Sequence, residues 1–137
     1  MRLGVLDIGS NTVHLLVANA HPGGRPLAQT SEKSVLRLMR YLEDDGRIND
    51  DGVTAILEAV KRAREVAEKE GVDELLATAT SAVREAANGI DVILQIEAAL
   101  GQPLQVLGGE QEARFTFLAV RRWFGWSAGQ ILSLIHI

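Results

Sequence analysis

Between two short apolar runs, Leu3 to Ile8 and Val13 to Val17, the chain places Asp7 and then Gly9-Ser10-Asn11. A small polar turn of this kind offers a hydroxyl, an amide and consecutive backbone N–H groups, which together can cradle a phosphate. Glycine at position 9 permits a positive φ that would turn those N–H groups outward. Asp7, at the strand end just inside the turn, has the carboxylate that a divalent cation or its waters require. The same residues also suit a tight hairpin turn in which Asp7 bonds its own backbone. Two further groups carry chemistry. Arg84 can fork two N–H donors onto a phosphate, or serve as a surface ion-pair partner. Glu112, just after Gly108-Gly109, stands where ligands meet helix starts in open α/β folds, and carboxylates there also act as plain dipole partners.

These groups need a scaffold, and its elements are legible in the pattern. The two apolar runs read as the strands of a hairpin. His21-Pro22-Gly23-Gly24-Arg25-Pro26 is a turn cluster, and Leu27 to Leu38 is consistent with a third strand pairing with the hairpin. Glu43-Asp44-Asp45-Gly46-Arg47 is a charged, solvated loop whose acidic run reads as a surface turn, though it could bind a cation. A helix begins after Asn49, with Asp50 and Asp51 at the positive end of its dipole. Its apolar stripe is Val53, Ile56, Leu57, Val60, Ala63 and Ala67, and Gly71 ends it. Leu75 to Ala79 is a short buried strand, after which Thr80 or Ser81 can cap a short helix bearing Arg84. Ile90 to Leu100 is a second long helix, on the pattern Ile93, Ile96, Leu100, stopped by Gly101 and Pro103. Leu104 to Leu107 is a last strand, and Glu110 opens a third amphipathic helix through Phe117, Leu118 and Val120. Strands alternating with helices after an antiparallel hairpin predict an α/β domain with a mixed sheet.

Composition narrows the function. One hundred and thirty-seven residues, 47% of them apolar, suit one folded domain with a real core. A net charge of −4 gives no general attraction for nucleic acid or acidic membrane, so an anionic ligand must be held by local donors. There is no cysteine, hence no disulfide framework and no thiolate metal site. The apolar start is too short for a signal peptide or a membrane span, which predicts a cytoplasmic protein.

Three stretches in this order resemble a known family, the exopolyphosphatases and guanosine pentaphosphate phosphohydrolases. They are Leu6-Asp7-Ile8-Gly9-Ser10-Asn11-Thr12-Val13-His14, Ala79-Thr80-Ser81-Ala82-Val83-Arg84-Glu85-Ala86 and Gly109-Glu110-Gln111-Glu112-Ala113-Arg114. The stretch Phe117 to Gly129 is most similar to the actinobacterial exopolyphosphatase branch. The resemblance implies an actin-like, ribonuclease-H-type domain, the first of two facing a cleft. It implies Gly9, Ser10 and Asn11 as a phosphate-binding loop, Arg84 beside the polyanion, Asp7 as a holder of Mg2+ and Glu112 as catalytic base. It further implies inorganic polyphosphate or guanosine pentaphosphate as substrate and a homodimer of the full-length protein. After Ile131 the chain departs from the family, which continues into a second phosphate loop, Asp-Ile-Gly-Gly-Gly-Ser. Residues 132–137, Leu-Ser-Leu-Ile-His-Ile, look like a translated sequencing adaptor. The expectation is a domain over residues 1–131, a non-native tail and a C-terminally truncated chain that folds weakly and hydrolyses nothing alone. A non-catalytic alarmone or polyphosphate sensor, and an actin-like ATPase or sugar kinase, are the rival classes.

Overall fold

The computed structural model describes residues 1–125 and 129–130; the expected tail, 132–137, lies outside the described residues. The chain divides into two compact units, Met1–Val106 and Leu107–Ile137.

In the first unit β1 (Arg2–Ile8) and β2 (Thr12–Asn19) form the expected hairpin, in register from Arg2 opposite Asn19 to Ile8 opposite Val13. The third strand, β3 (Leu27–Val35), is antiparallel to β2, with an irregularity between Val17 and Ala18. The chain then passes through a 3-10 turn (Leu38–Tyr41) and α1 (Asp50–Lys69). It returns as β4 (Glu74–Ala79), parallel to β1. After α2 (Ser81–Arg84) and α3 (Gly89–Leu100), β5 (Gln105–Val106) pairs parallel to β4. The order β3-β2-β1-β4-β5 makes a mixed sheet with β1 at its centre.

Alternation along the strands selects the core. Leu6, Ile8, Val13, Leu15, Val17, Ala77 and Ala79 are buried on one sheet face. They join Ile56, Ala59, Val60, Ala63 and Ala67 of α1 and Val92, Ile96 and Leu100 of α3 in one cluster. On α1 the buried set includes Gly52 and Ala59, while Val53 and Leu57 are half-buried at its margin. On α3 the buried set includes Val92, while Ile93 is half-buried against the same cluster. The Asn49 Oδ1 accepts from Gly52 N–H at 2.9 Å, which caps α1 as expected. Gly71, at φ 64°, donates its N–H to Glu68 O and closes the other end. The last strand is shorter than expected, only Gln105–Val106. Thr80 occupies the cap position of α2 but makes no side-chain cap bond. Asn88 holds distant segments together. Its amide donates to Ile48 O at 2.8 Å and its Oδ1 accepts from Ile48 N–H at 2.9 Å, fixing the approach to α1 against the start of α3.

In the second unit α4 (Gly109–Phe124) begins one residue before the expected Glu110. The Gln111 Oε1 accepts from Gly108 N–H at 3.0 Å and so satisfies the donor just ahead of the helix. Phe115, Leu118, Trp123 and Phe124 of α4 are each half or more exposed. No helix among the described residues is long and apolar enough to cross a membrane.

Candidate active site

Parallel pairing of β1 with β4 brings their C-terminal ends to one end of the sheet, where Ile8 lies opposite Ala79 and Thr80 N–H donates to Ile8 O at 3.2 Å. The loop Gly9-Ser10-Asn11 leaves β1 there, and α2 with Arg84 leaves β4 beside it. Gly9 is not in the left-handed region, contrary to the expectation for this turn. Instead its N–H donates to Thr12 O at 2.9 Å and closes the hairpin. A Cβ at position 9 would lie 3.4 Å from Thr12 O and 3.8 Å from Asp7 Oδ2.

The loop has two unlike sides. The carbonyl of Ser10 accepts from Leu38 N–H at 2.7 Å, and that of Asn11 accepts from Leu36 and Arg37 N–H at 2.7 and 3.1 Å. The N–H groups of Ser10 and Asn11 have no hydrogen-bond acceptor among the described residues. Ser10 is half-buried and Asn11 exposed, and a polar turn with such unengaged donors is of the kind that can cradle an anion.

Asp7 lies in a cross-strand row of polar residues. His14 is opposite it on β2 and Thr78 on β4, and the row extends to Lys33 on β3 and Gln105 on β5. The Thr78 hydroxyl is 3.4 Å from both Asp7 Oδ1 and Leu6 O. The Asp7 residue as a whole is exposed, yet its carboxyl is partly stripped of water by the strand ends around it. That desolvation pushes its pKa above the usual carboxylate value, while the Thr78 hydroxyl and the charge of His14 pull it down. The carboxylate thus accepts from a side chain of the neighbouring strand β4, at the end of a tight hairpin turn. No group of three metal-ligating side chains occurs among the described residues. A single strand-end carboxylate beside a polar loop fits the chemistry of Mg2+, which keeps several waters and commonly takes one or two carboxylates plus substrate phosphates.

Arg84 is half-buried, with Nη2 2.9 Å from Glu85 Oε1, so it does form the ion pair that was one of its two expected roles. Glu112 lies in the first turn of α4, in the second unit, and is half-buried there. The structure thus gathers Asp7, Gly9, Ser10, Asn11 and the Arg84 helix at one sheet end of the first unit and carries Glu112 on the second. The sequence reading assigned no role to Thr78, His14 or Arg37. The first two are found only through strand register, whereas the Arg37 turn had no signal in residue type. A separate cleft of about 540 Å3 is lined by Thr54, Leu57, Lys61, Arg64 and Ala99, among others, and holds no candidate site residue.

A polar hairpin loop at the end of a mixed sheet in the order 3-2-1-4-5, with an acidic residue at the strand end, is the layout of an actin-like domain. The chain belongs to the Ppx/GppA phosphatase family, whose model matches residues 16–134. It is 51% identical over 134 residues to exopolyphosphatase 1 of Mycobacterium tuberculosis, covering 98% of this chain and 39% of that protein. Exopolyphosphatase 1 of Mycobacterium leprae is 49% identical, with 98% and 40% covered. Among solved structures, an exopolyphosphatase from Cytophaga hutchinsonii superposes with a TM-score of 0.81 at 31% identity, covering 89% of this chain and 39% of that one. The Aquifex aeolicus Ppx/GppA family member gives 0.79 at 27%, covering 88% and 39%. These similarities bear out the actinobacterial exopolyphosphatase resemblance and the actin-like fold. The chain spans about two fifths of the length of the curated relatives it matches.

Proposed function

We propose that the protein carrying this chain is an exopolyphosphatase that releases terminal orthophosphate from inorganic polyphosphate. The observation that carries this reading is the bonding of the loop: its carbonyls are held by the N–H groups of residues 36–38, while the Ser10 and Asn11 N–H groups have no acceptor among the described residues. The terminal phosphoryl group seats on those donors and on the Ser10 and Asn11 side chains, and Arg84 adds positive charge to non-bridging oxygens. Glu112 takes a proton from the attacking water, whose oxygen bonds to phosphorus as the bridging P–O bond breaks. The shortened polyphosphate leaves with the bridging oxygen. Asp7 would hold Mg2+, which would supply positive charge to neutralise the phosphoryl oxygens. Positioning and charge stabilisation carry most of the acceleration, and a placed base adds about 10²–10⁴-fold. Residues 1–137 alone release no phosphate in this reading, because one loop cannot surround the reacting group.

The test measures phosphate release from polyphosphate, with Mg2+, by the protein that carries this chain. Guanosine pentaphosphate is assayed in parallel, and ADP is titrated calorimetrically against polyphosphate. Faster turnover of guanosine pentaphosphate reassigns the substrate. Binding without release makes the protein a sensor, and preferential ADP binding makes it a nucleotide-dependent enzyme.

A further inference from the structure

The segment that closes the inner side of the loop contains an anomaly. Leu36, Arg37 and Leu38 all donate backbone N–H groups to the carbonyls of Ser10 and Asn11. To make those bonds the chain turns through Arg37 at φ 54°, ψ 56°. Every other described residue with positive φ is a glycine. Left-handed backbone strains any L side chain, and turn chemistry by itself favours Gly or Asn at such a position. An arginine stands there instead. Leu36 and Leu38 on either side are buried, whereas Arg37 is exposed. Its guanidinium makes no hydrogen bond or ion pair with any described residue, and it does not cap the 3-10 turn it precedes. Strained backbone of this kind clusters at functional sites, and here it bears an exposed cation with no partner among the described residues. The need for it is electrostatic. The chain is net negative, and the loop Gly9-Ser10-Asn11 has dipolar donors but no formal charge of its own.

We propose that Arg37 is a substrate-contacting residue whose guanidinium forks onto non-bridging oxygens of the phosphoryl group held at Ser10 and Asn11. This rests on the reading of residues 9–11 as a phosphate loop. Arginine suits the task because its planar fork matches two oxygens at once and stays charged at every working pH. The backbone bonds from 36–38 make loop and arginine one unit, so the side chain is carried to the anion at little ordering cost.

Substitution separates binding from folding here, because the residues that remove the guanidinium also relieve the backbone. Arg37→Gly and Arg37→Asn are expected to melt at or above the parent temperature. Both are expected to raise the dissociation constant for inorganic tripolyphosphate about ten-fold or more, read by calorimetry on the protein that carries this chain. Arg37→Lys, which keeps the charge without the fork, falls between. Parent-like affinity in both Arg37→Gly and Arg37→Asn, with weakened binding in Asn11→Ala, overturns the role of Arg37 and leaves the loop in place. Parent-like affinity in Asn11→Ala as well removes the phosphate loop and the inference with it. A loss of affinity matched by a loss of stability in both variants also overturns the proposal, making Arg37 a packing residue.

Discussion

Replacing Gly89 by alanine tests how tightly the scaffold sets Arg84. Gly89 is the first residue of α3, and a Cβ there would overlap the carbonyl oxygen of Val83 and lie 3.4 Å from that of Arg84. The obstacle is backbone, which cannot rotate aside, so α3 must shift away from α2 or α2 must unwind. Overpacking of this kind costs about 1–3 kcal/mol. The gain from alanine's better helix propensity is at most about 1 kcal/mol, and smaller at the first helical position. A net loss of about 2 kcal/mol is expected, since the clash is with a carbonyl rather than a flexible side chain. For a unit of this size each kcal/mol moves the melting temperature by about 4–8 °C, giving a fall of about 8–16 °C. Thermal melts followed by circular dichroism measure it. Gly24→Ala is the control, because a Cβ there meets only His21 at 3.5 Å or beyond; it should stay within about 0.5 kcal/mol of the parent. A Gly89→Ala protein that melts with the parent would refute the close approach and the anchoring of Arg84 that follows from it.

Asp7→Asn should stabilise the fold at neutral pH while removing Mg2+-dependent phosphate release. Because the folded carboxyl has a raised pKa, the folded state holds the proton more tightly than the unfolded one. Stability therefore falls as pH rises from the ordinary value near 3.8 through the raised value, and stays lower above it. The gain in melting temperature should be present at pH 7 and absent near pH 3; a gain that is the same at both, or no gain, contradicts the desolvation argument. Asn11→Ala should raise the Michaelis constant for polyphosphate about ten-fold, as a lost hydrogen bond to an anion worth roughly 1.5–3 kcal/mol requires. Steady-state kinetics with an unchanged constant would leave Asn11 only its carbonyl's part in the turn. Glu112→Gln should lower the turnover number by about 10²–10⁴ with little change in tripolyphosphate affinity. Full phosphate release by that variant would move the base elsewhere.

The local arithmetic of the sequence reached far into this fold. Apolar alternation marked β1 and β2, a 3.6-residue stripe marked α1, and Asn49 and Gly71 set its ends, because hairpins, stripes and caps are decided by neighbours in the chain. The loop Gly9-Ser10-Asn11 was visible for the same reason: a polar turn between two strands needs no distant partner to be recognised. What tertiary structure alone decided is which groups face one another. Thr78 and His14 surround Asp7 through the registers of β4 and β2, which fix the carboxyl's desolvation and its opposing interactions. The carbonyls of Ser10 and Asn11 are tied by residues 36–38, so the polarity of the loop and the left-handed backbone of Arg37 are set together. Gly9 shows the limit of residue type most directly. Glycine suggested a positive φ, but the bond from its N–H to Thr12 O closes the hairpin without one, and a Cβ there would meet its neighbours only at ordinary contact distance. A sequence states what each residue permits, and packing selects which of those permissions is used.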